Sequence, residues 1–100
     1  MPRATARVGQ VVVAETEQWE FVEDNVYFPP ETIRQELLQP SNHSTYCSWK
    51  GQATYNNVVA DGKTLENVVW HYHTCFDKAK YIENYYAFYK DKGVEVVIED

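Results

Sequence analysis

Apolar and polar residues alternate in several short runs along the chain, and this alternation is typical of half-buried β-strands. In residues 65–72, for example, Val68, Trp70 and Tyr72 fall on one face of a strand and the residues between them fall on the other. Turn signals separate the runs at intervals of about 8 to 12 residues, as in sandwiches and barrels. The predicted strands lie at residues 11–13, 19–21, 26–28, 45–60, 65–72, 85–89 and 94–98.

Tight turns are predicted at two pairs of residues between these runs. Asp61-Gly62 is the strongest hairpin signal, because both residue types tolerate the positive φ that a two-residue turn requires. Asp24-Asn25 gives a similar signal between the second and third predicted strands. Gly51 interrupts the long fourth run, and a glycine inside a strand pattern indicates a β-bulge or a close approach of the backbone.

Helical character is limited to short segments. In residues 31–38, Ile33, Leu37 and Leu38 recur at helical spacing before a proline ends the pattern. Residues 77–84 are a second candidate for a short helix. We therefore predict a mainly β fold, a single compact open barrel or β-complex of about seven short strands with one or two short helical turns, which forms a single domain over residues 1–100.

Charge and composition narrow the possible partners. Nine Lys and Arg against fifteen Asp and Glu give a net charge of −6, which repels a phosphate backbone, so nucleic acid is not expected as a partner. The sequence has no apolar run of the ~20 residues that cross a bilayer, and no membrane association is expected. Two cysteines, Cys47 and Cys75, are too few for a disulfide framework, which favours a reducing, cytoplasmic location.

Reactive residue types are concentrated in residues 41–55. His43 and Lys50 are the kinds of neighbour that lower the pKa of a cysteine, so Cys47 is a candidate nucleophile with His43 as its base. Residues four apart on a strand share a face but lie ~13 Å apart, so His43 would have to fold back to reach the thiol. The structural alternative is that Cys47 is a small buried side chain.

Lys50 and the residues beside it suggest binding rather than catalysis. The ammonium of Lys50 could meet a carboxylate or a phosphate at the irregular backbone that Gly51 predicts. Trp49 could flank such a site and offer its indole N–H to a ligand.

Metal binding is the third chemistry that the residue types permit. His43, Cys47, His71, His73 and Cys75 are all zinc-ligand types, but the paired C-x-x-C spacing of closed zinc sites is missing. We therefore predict no metal site and no cofactor, and interpret His71 and His73 as solvent-facing side chains.

A series of short motifs along the chain resembles the family catalogued as domain of unknown function 427. The resemblance implies a small mainly β fold and no established activity. Departures from the usual pattern occur at Thr32, where the family commonly has an acidic residue, at Ser48, where it has proline, and at His73, where proline usually follows the tryptophan motif. The motifs are Tyr27-Phe28-Pro29, Leu37-Leu38, Pro40-Ser41-Asn42-His43, Cys47, Lys50-Gly51, Ala53-x-Tyr55, Trp70-x-Tyr72 and Ala87-Phe88-Tyr89.

Three hypotheses for function follow. The first is a small-ligand-binding β domain with a polar site around His43, Cys47, Lys50 and Tyr55, with Trp49 beside it. The second is a thiol-dependent enzyme with Cys47 as nucleophile and His43 as base. The third is an interaction or scaffold protein that forms a homodimer through an exposed strand edge.

Overall fold

A computed structural model describes residues 2–100 of the chain. In that range the chain forms nine β-strands and three short 3-10 turns, and all the paired strands run antiparallel. The mainly β class predicted from the sequence is therefore confirmed. In chain order the strands are β1 (Arg3–Val8), β2 (Val11–Thr16), β3 (Glu20–Val22), β4 (Asn25–Tyr27), β5 (Leu38–Cys47), β6 (Gly51–Ala60), β7 (Lys63–Cys75), β8 (Tyr86–Phe88) and β9 (Glu95–Glu99).

The strands form two sheets and a separate hairpin. One sheet has the order β2-β1-β9, the other has the order β5-β6-β7-β8, and β3 pairs with β4. Backbone hydrogen bonds of 2.8 and 2.9 Å between Phe28 and Tyr86 join the end of the hairpin to β8. The sheets do not close on each other, so the arrangement is an open sandwich rather than a barrel.

An apolar cluster fills the space between the two sheets. Ala4, Ala6 and Val8 alternate along β1 and contribute from the three-stranded sheet, while Val69 and Phe88 contribute from the other. Burial of such side chains is the main favourable contribution to folding. The apolar cluster consists of Ala4, Ala6, Val8, Val13, Ala14, Val26, Phe28, Ile33, Val58, Ala60, Val68, Val69, Phe88 and Val94.

A second cluster, which we call the aromatic cluster, lies on the opposite face of the four-stranded sheet. Val69 pairs with Phe88 across β7 and β8, and the next pair along the ladder is Trp70 with Ala87. Because successive side chains of a strand point to opposite faces, Trp70 and Ala87 face away from the apolar cluster. The aromatic cluster consists of Val22, Tyr27, Ala53, Tyr55, Trp70, Tyr72, Cys75, Ala79, Ile82 and Ala87.

The strand boundaries differ from the prediction in two places. The single strand predicted at residues 45–60 is a hairpin, in which residues 48–50 form the turn between β5 and β6. No strand was predicted at β1, although it is the central strand of its sheet. The division of one predicted strand into two and the addition of β1 give nine strands where about seven were predicted, and β5, β6 and β7 are longer than expected.

The tight turns agree closely with the prediction. Asp61 and Gly62 have φ values of 55° and 72° and connect β6 to β7, which confirms the strongest hairpin signal. The hairpin of β3 and β4 is also present, but its turn lies one residue earlier than predicted. Glu23 and Asp24 take the positive φ values, 53° and 67°, and Asn25 begins β4.

The helical segments are all of the 3-10 type. Two turns, Pro30–Thr32 and Gln35–Leu37, occupy the first predicted segment, and Asp77–Ile82 occupies the second. Within residues 2–100, no helix has the length and apolar character needed to cross a membrane.

Candidate functional site

Edge strand β5 contains an irregularity that positions His43. Pro40 pairs with Asn56 and Ser44 pairs with Thr54, so four residues of β5 advance along only two residues of β6. The extra residues form a bulge at positions 41–43, a device that redirects side chains at sheet edges. The backbone N–H of His43 donates to the hydroxyl of Ser41 at 3.1 Å, which stabilises the bulge from within.

Two asparagines support the bulge from the neighbouring strands. The Ser41 hydroxyl donates to the side-chain oxygen of Asn67, which lies two strands away on β7. The backbone N–H of Asn67 donates in turn to the side-chain oxygen of Asn57 on β6 at 2.9 Å. Asn67 has a φ of 56°, a conformation that asparagine tolerates better than most residues. These bonds link the strands beneath the bulge through side chains.

Tyr55 on β6 is contacted by side chains from several parts of the four-stranded sheet. The exposed ring of His43 packs against the Tyr55 ring, with centroids 4.6 Å apart and planes at 64°. The Tyr55 hydroxyl lies 3.1 Å from the hydroxyl of Thr45 on β5 and 3.5 Å from the hydroxyl of Tyr89, which follows β8. The ring is buried, but its polar atom is close to the exposed edge of the sheet.

Trp70 connects Tyr55 to the rest of the aromatic cluster. Its ring centroid lies 6.2 Å from that of Tyr55 and 4.8 Å from that of Tyr89. Its indole N–H donates to the hydroxyl of Tyr27 at 3.2 Å, so the polar group of this buried side chain is satisfied. Tyr27 comes from β4 and covers this face of the four-stranded sheet.

Lys50 lies at the other end of the same face and is only 5% exposed. Its Nζ is 5.3 Å from the ring centroid of Trp49 and 5.4 Å from that of Tyr72, within the range of cation–π attraction. The ammonium forms a salt bridge with the carboxylate of Glu23, whose side chain is 52% exposed. Glu23 belongs to the turn between β3 and β4 and so approaches Lys50 from the hairpin.

Burial and the salt bridge between Lys50 and Glu23 determine the pKa values at this end of the face. Burial lowers the pKa of Lys50, but the hydrogen bond and the charge of Glu23 act in the other direction and the pKa is raised overall. The hydrogen bond from Lys50 lowers the pKa of Glu23, and the indole N–H of Trp49 adds to this effect. Burial also raises the pKa of Tyr72 to about 12, so its hydroxyl stays protonated. A cation is thus held among neutral aromatic rings.

Gly51 fixes the backbone next to Lys50. Its φ is 123°, and a β-carbon there would lie 2.8 Å from the carbonyl oxygen of Thr74 on the neighbouring strand. The pairing of β6 with β7 shifts register between Gly51 and Ala53, so both the close approach and the irregularity predicted at this glycine are present. The carbonyl of Lys50 accepts a hydrogen bond from the backbone N–H of Phe76 at 3.1 Å, which anchors the turn.

The cysteines occupy separate strands and are not bridged. Cys47 on β5 and Cys75 on β7 both pair with Gly51 of β6, one on each side. Their backbones are therefore two strand spacings apart, ~9.5 Å, beyond the Cα separation that a disulfide allows. Both thiols are free, and burial raises the pKa of Cys75.

The geometry offers little support for a thiolate–imidazole pair. Cys47 and His43 lie on one strand with Thr45 between them, and the regular stretch from Ser44 to Cys47 alone spans ~10 Å. His43 packs against Tyr55, and among the described side chains no hydrogen bond joins its ring to the thiol.

The interpretation of His71 and His73 as solvent-facing side chains agrees with the structure for His73 and is wrong for His71. His71 is half-buried and stacks on Tyr86 with ring centroids 4.5 Å apart, whereas His73 is exposed. Burial lowers the pKa of His71, and the nearby His73 adds to this effect. In the described part of the chain, no group of three or more His, Cys, Asp or Glu side chains is arranged to hold a metal ion.

A surface depression of about 420 Å³ lies in a different part of the molecule, near the start of the chain and the end of β2. None of the site residues predicted from the sequence lines it. The lining residues are Pro2, Thr16, Glu17, Gln18, Pro29 and Glu31.

The predicted residues thus fall on one face of the four-stranded sheet, with His43 and Tyr55 at one end and Lys50 and Trp49 at the other. Trp70 and Tyr72 lie between the two ends, on alternate positions of β7. We call these six side chains the candidate site: His43, Tyr55, Trp70, Tyr72, Trp49 and Lys50.

Glu23, Tyr27 and Tyr89 complete these contacts and are not among the site residues predicted from the sequence. Nothing in the spacing of Glu23 links it to Lys50. Tyr27 and Tyr89 belong to the motifs that carry the family resemblance, and those motifs are the signal that could have identified them.

The fold and this face together define a small, mainly β protein with a buried aromatic cluster, which has the exposed His43 at one end and the buried Lys50 at the other. The chain belongs to the family described as domain of unknown function 427 (DUF427), whose model matches residues 2–100. This confirms the resemblance seen in the sequence. No curated protein matches the chain significantly.

Proposed function

We propose that the protein binds a small organic ligand on the candidate site. The observation that carries this proposal is the convergence on Tyr55: His43 packs on its ring, and hydroxyls from two other parts of the sheet meet its hydroxyl. An aromatic surface with a few polar groups at its margin is the usual composition of a small-molecule site. Because His43 and Thr45 are exposed, a ligand could reach this convergence point from solvent.

The thiol-enzyme hypothesis has weaker support than ligand binding. A nucleophile needs its base within hydrogen-bond reach, and His43 is engaged with Tyr55 at a distance from Cys47. Cys47 is half-buried at the end of β5, where it serves the proposed function as part of the wall beside Tyr72.

The test is an NMR titration with benzamide, a neutral planar probe. We expect saturable shifts in the backbone amides of His43, Thr45 and Tyr55, because the probe would pack at this end of the site. His43→Ala should weaken the binding several-fold, since it removes an exposed ring and leaves the buried contacts in place. Shifts confined to another surface, such as the depression near Thr16, would contradict the proposal.

His73→Ala is the matched control for His43→Ala. Both histidines are exposed, but among the described side chains no ring contact or hydrogen bond joins His73 to Tyr55 or to another residue of the candidate site. The removal of His73 should leave the affinity for benzamide unchanged. Equal weakening by the two substitutions would show that the histidines act through general charge or stability rather than through contact.

A further inference from the structure

Lys50 is a buried cation whose charge partner is half exposed. The residue is 5% exposed, whereas 52% of the Glu23 side chain is exposed. A buried ammonium is stable when an anion compensates for the water that it has lost. Glu23 therefore places a carboxylate at a surface position where Lys50 requires a negative charge.

The groups around this position suit a carboxylate attached to a flat apolar body. The ammonium of Lys50 donates to the Glu23 carboxylate and lies over the ring of Trp49. The rings of Trp49 and Tyr72 lie 5.3 and 5.4 Å from the ammonium; Tyr72 is buried behind it, and the partly exposed ring of Trp49 provides a flat surface next to it. Charged and planar surfaces are thus adjacent, as in a site for an organic anion.

Glu23 reaches this position from a separate element of the fold. It lies in the two-residue turn of the β3–β4 hairpin, while Lys50 lies in the turn between β5 and β6. The hairpin strands pair with each other rather than with either strand that flanks Lys50. The contact between Glu23 and Lys50 is therefore made by side chains alone, and the carboxylate can leave without breaking the pairing of β5 with β6.

We propose that Glu23 is the internal occupant of a carboxylate-binding site formed by Lys50 and Trp49, and that a small ligand with a carboxylate on an apolar body binds there by replacing it. This inference rests on the proposed function, because Lys50 and Trp49 form one end of the candidate site. Glu23 then controls affinity by competition. If Glu23 leaves the site open about a tenth of the time, it weakens ligand binding roughly tenfold.

The experiment compares benzoate with benzamide, which differ in charge and share the ring. Affinities are measured at neutral pH from the change in tryptophan fluorescence for the wild type, Glu23→Gln and Lys50→Met. We expect Glu23→Gln to bind benzoate about tenfold more tightly, because a neutral amide competes weakly for the ammonium. Lys50→Met should lose the preference for benzoate over benzamide. Glu36→Gln is the matched control, since it removes the same charge from an exposed residue and should leave both affinities unchanged.

Thermal unfolding in the presence of benzoate gives a second measurement that does not depend on fluorescence. A ligand that binds only the folded state raises the melting temperature, so benzoate should stabilise Glu23→Gln more than the wild type. Inorganic phosphate is tested in parallel. If Glu23→Gln prefers phosphate to benzoate, the site recognises tetrahedral anions and the assignment to carboxylates is overturned.

The outcomes separate this inference from the proposed function. If benzamide binds at His43 and Tyr55 but Glu23→Gln leaves benzoate affinity unchanged, the carboxylate site is wrong and the proposed function stands. If benzamide does not bind and Glu23→Gln still gains affinity for benzoate, the carboxylate site stands without the aromatic end. Equal affinities for benzoate and benzamide in Glu23→Gln would also overturn the inference.

Discussion

On one face of the four-stranded sheet every buried side chain of the apolar cluster is aliphatic or phenylalanine, whereas the aromatic cluster on the other face adds tyrosines and a tryptophan to its small and aliphatic side chains, with a buried lysine at its margin. The apolar cluster has no polar atoms to satisfy, so its contribution depends on packing alone. In the aromatic cluster each buried ring brings a polar atom that requires a partner. Trp70 donates to Tyr27, and the hydroxyl of Tyr55 meets those of Thr45 and Tyr89.

This difference explains why the candidate site lies on one face and not on the other. A closed apolar layer between two sheets offers no group that could orient a ligand. A layer of rings that carry hydroxyl and indole N–H groups offers several, and some of their partners are exposed. Thr45 and Glu23, which satisfy Tyr55 and Lys50, both reach solvent. Polar partners that water can replace are also partners that a ligand can replace.

The largest expected effect is the loss of a side chain from the apolar cluster. Phe88 is 2% exposed and packs edge-to-face on Phe28 with centroids 5.6 Å apart. Phe88→Ala should lower the free energy of unfolding by about 3–5 kcal/mol, measured by urea denaturation, because it removes buried area and leaves a cavity. Phe21→Ala is the matched control, since Phe21 is 59% exposed and its loss should change stability by about 0.5 kcal/mol or less. Equal losses would contradict the division into two faces.

The sequence predicted the fold where signals were local. Asp61-Gly62 lies in the turn that its residue types require, and the alternation in residues 65–72 corresponds to most of β7. The prediction failed at β1, where Ala4 and Ala6 alternate with Arg3, Thr5 and Arg7. Alanine is a weak strand former, so a strand buried through alanines has a weak signal. Only its position between β2 and β9 stabilises it as a strand.

Some residues of the candidate site could be predicted from the sequence, but their contacts with residues distant along the chain could not. His43, Lys50 and Tyr55 were identified by residue type and by family motifs, and the structure places them on one face of the sheet. The salt bridge of Lys50 with Glu23 joins residues 27 positions apart in separate hairpins. No periodicity within a strand relates two such turns. Tertiary packing alone brings them together, so the partner of Lys50 could not be derived from spacing.

The second prediction compares the two members of that salt bridge. Glu23→Gln leaves a buried ammonium without a carboxylate and should lower the free energy of unfolding by roughly 1–2 kcal/mol, below the value for a fully buried pair because water reaches Glu23. Lys50→Met places an apolar chain among aromatic rings and leaves Glu23 hydrated, so it should cost less than about 1 kcal/mol. Urea denaturation at neutral pH measures both. A larger loss from Lys50→Met would reverse the asymmetry that the unequal burial predicts.

The neighbouring salt bridge provides a control in the same turn. Asp24 pairs with Lys90 at 3.6 Å, and the side chains are 89% and 46% exposed. Asp24→Asn therefore removes one charge from an exposed pair and should change stability by about 0.5 kcal/mol or less. If it destabilised the protein as much as Glu23→Gln, the effect would belong to the turn rather than to the buried lysine.

The third prediction concerns the hydroxyl of Tyr55. Tyr55→Phe keeps the ring that packs on His43 and removes the polar atom shared with Thr45 and Tyr89, so it should cost about 0.5–1.5 kcal/mol. The hydrogen bond with Tyr55 is the main reason why the pKa of Tyr89 is raised to about 12, and burial adds to it. In Tyr55→Phe the pKa of Tyr89 should therefore fall toward the ordinary tyrosine value of about 10.

The sign of the pH dependence follows from this shift. Because the pKa of Tyr89 is raised from 10.0 to about 12 on folding, its contribution to stability is complete below pH 10 and is lost as the pH rises toward 12. Tyr55→Phe should reduce that alkaline loss, and an ultraviolet titration of tyrosinate should show one fewer tyrosine that ionises late. Tyr81→Phe, which removes an exposed tyrosine, should leave the late ionisation unchanged. If Tyr89 still ionised late in Tyr55→Phe, burial rather than the hydrogen bond with Tyr55 would control the pKa of Tyr89. The pKa of Tyr89 would then no longer be evidence that the hydroxyls of Tyr55 and Tyr89 interact.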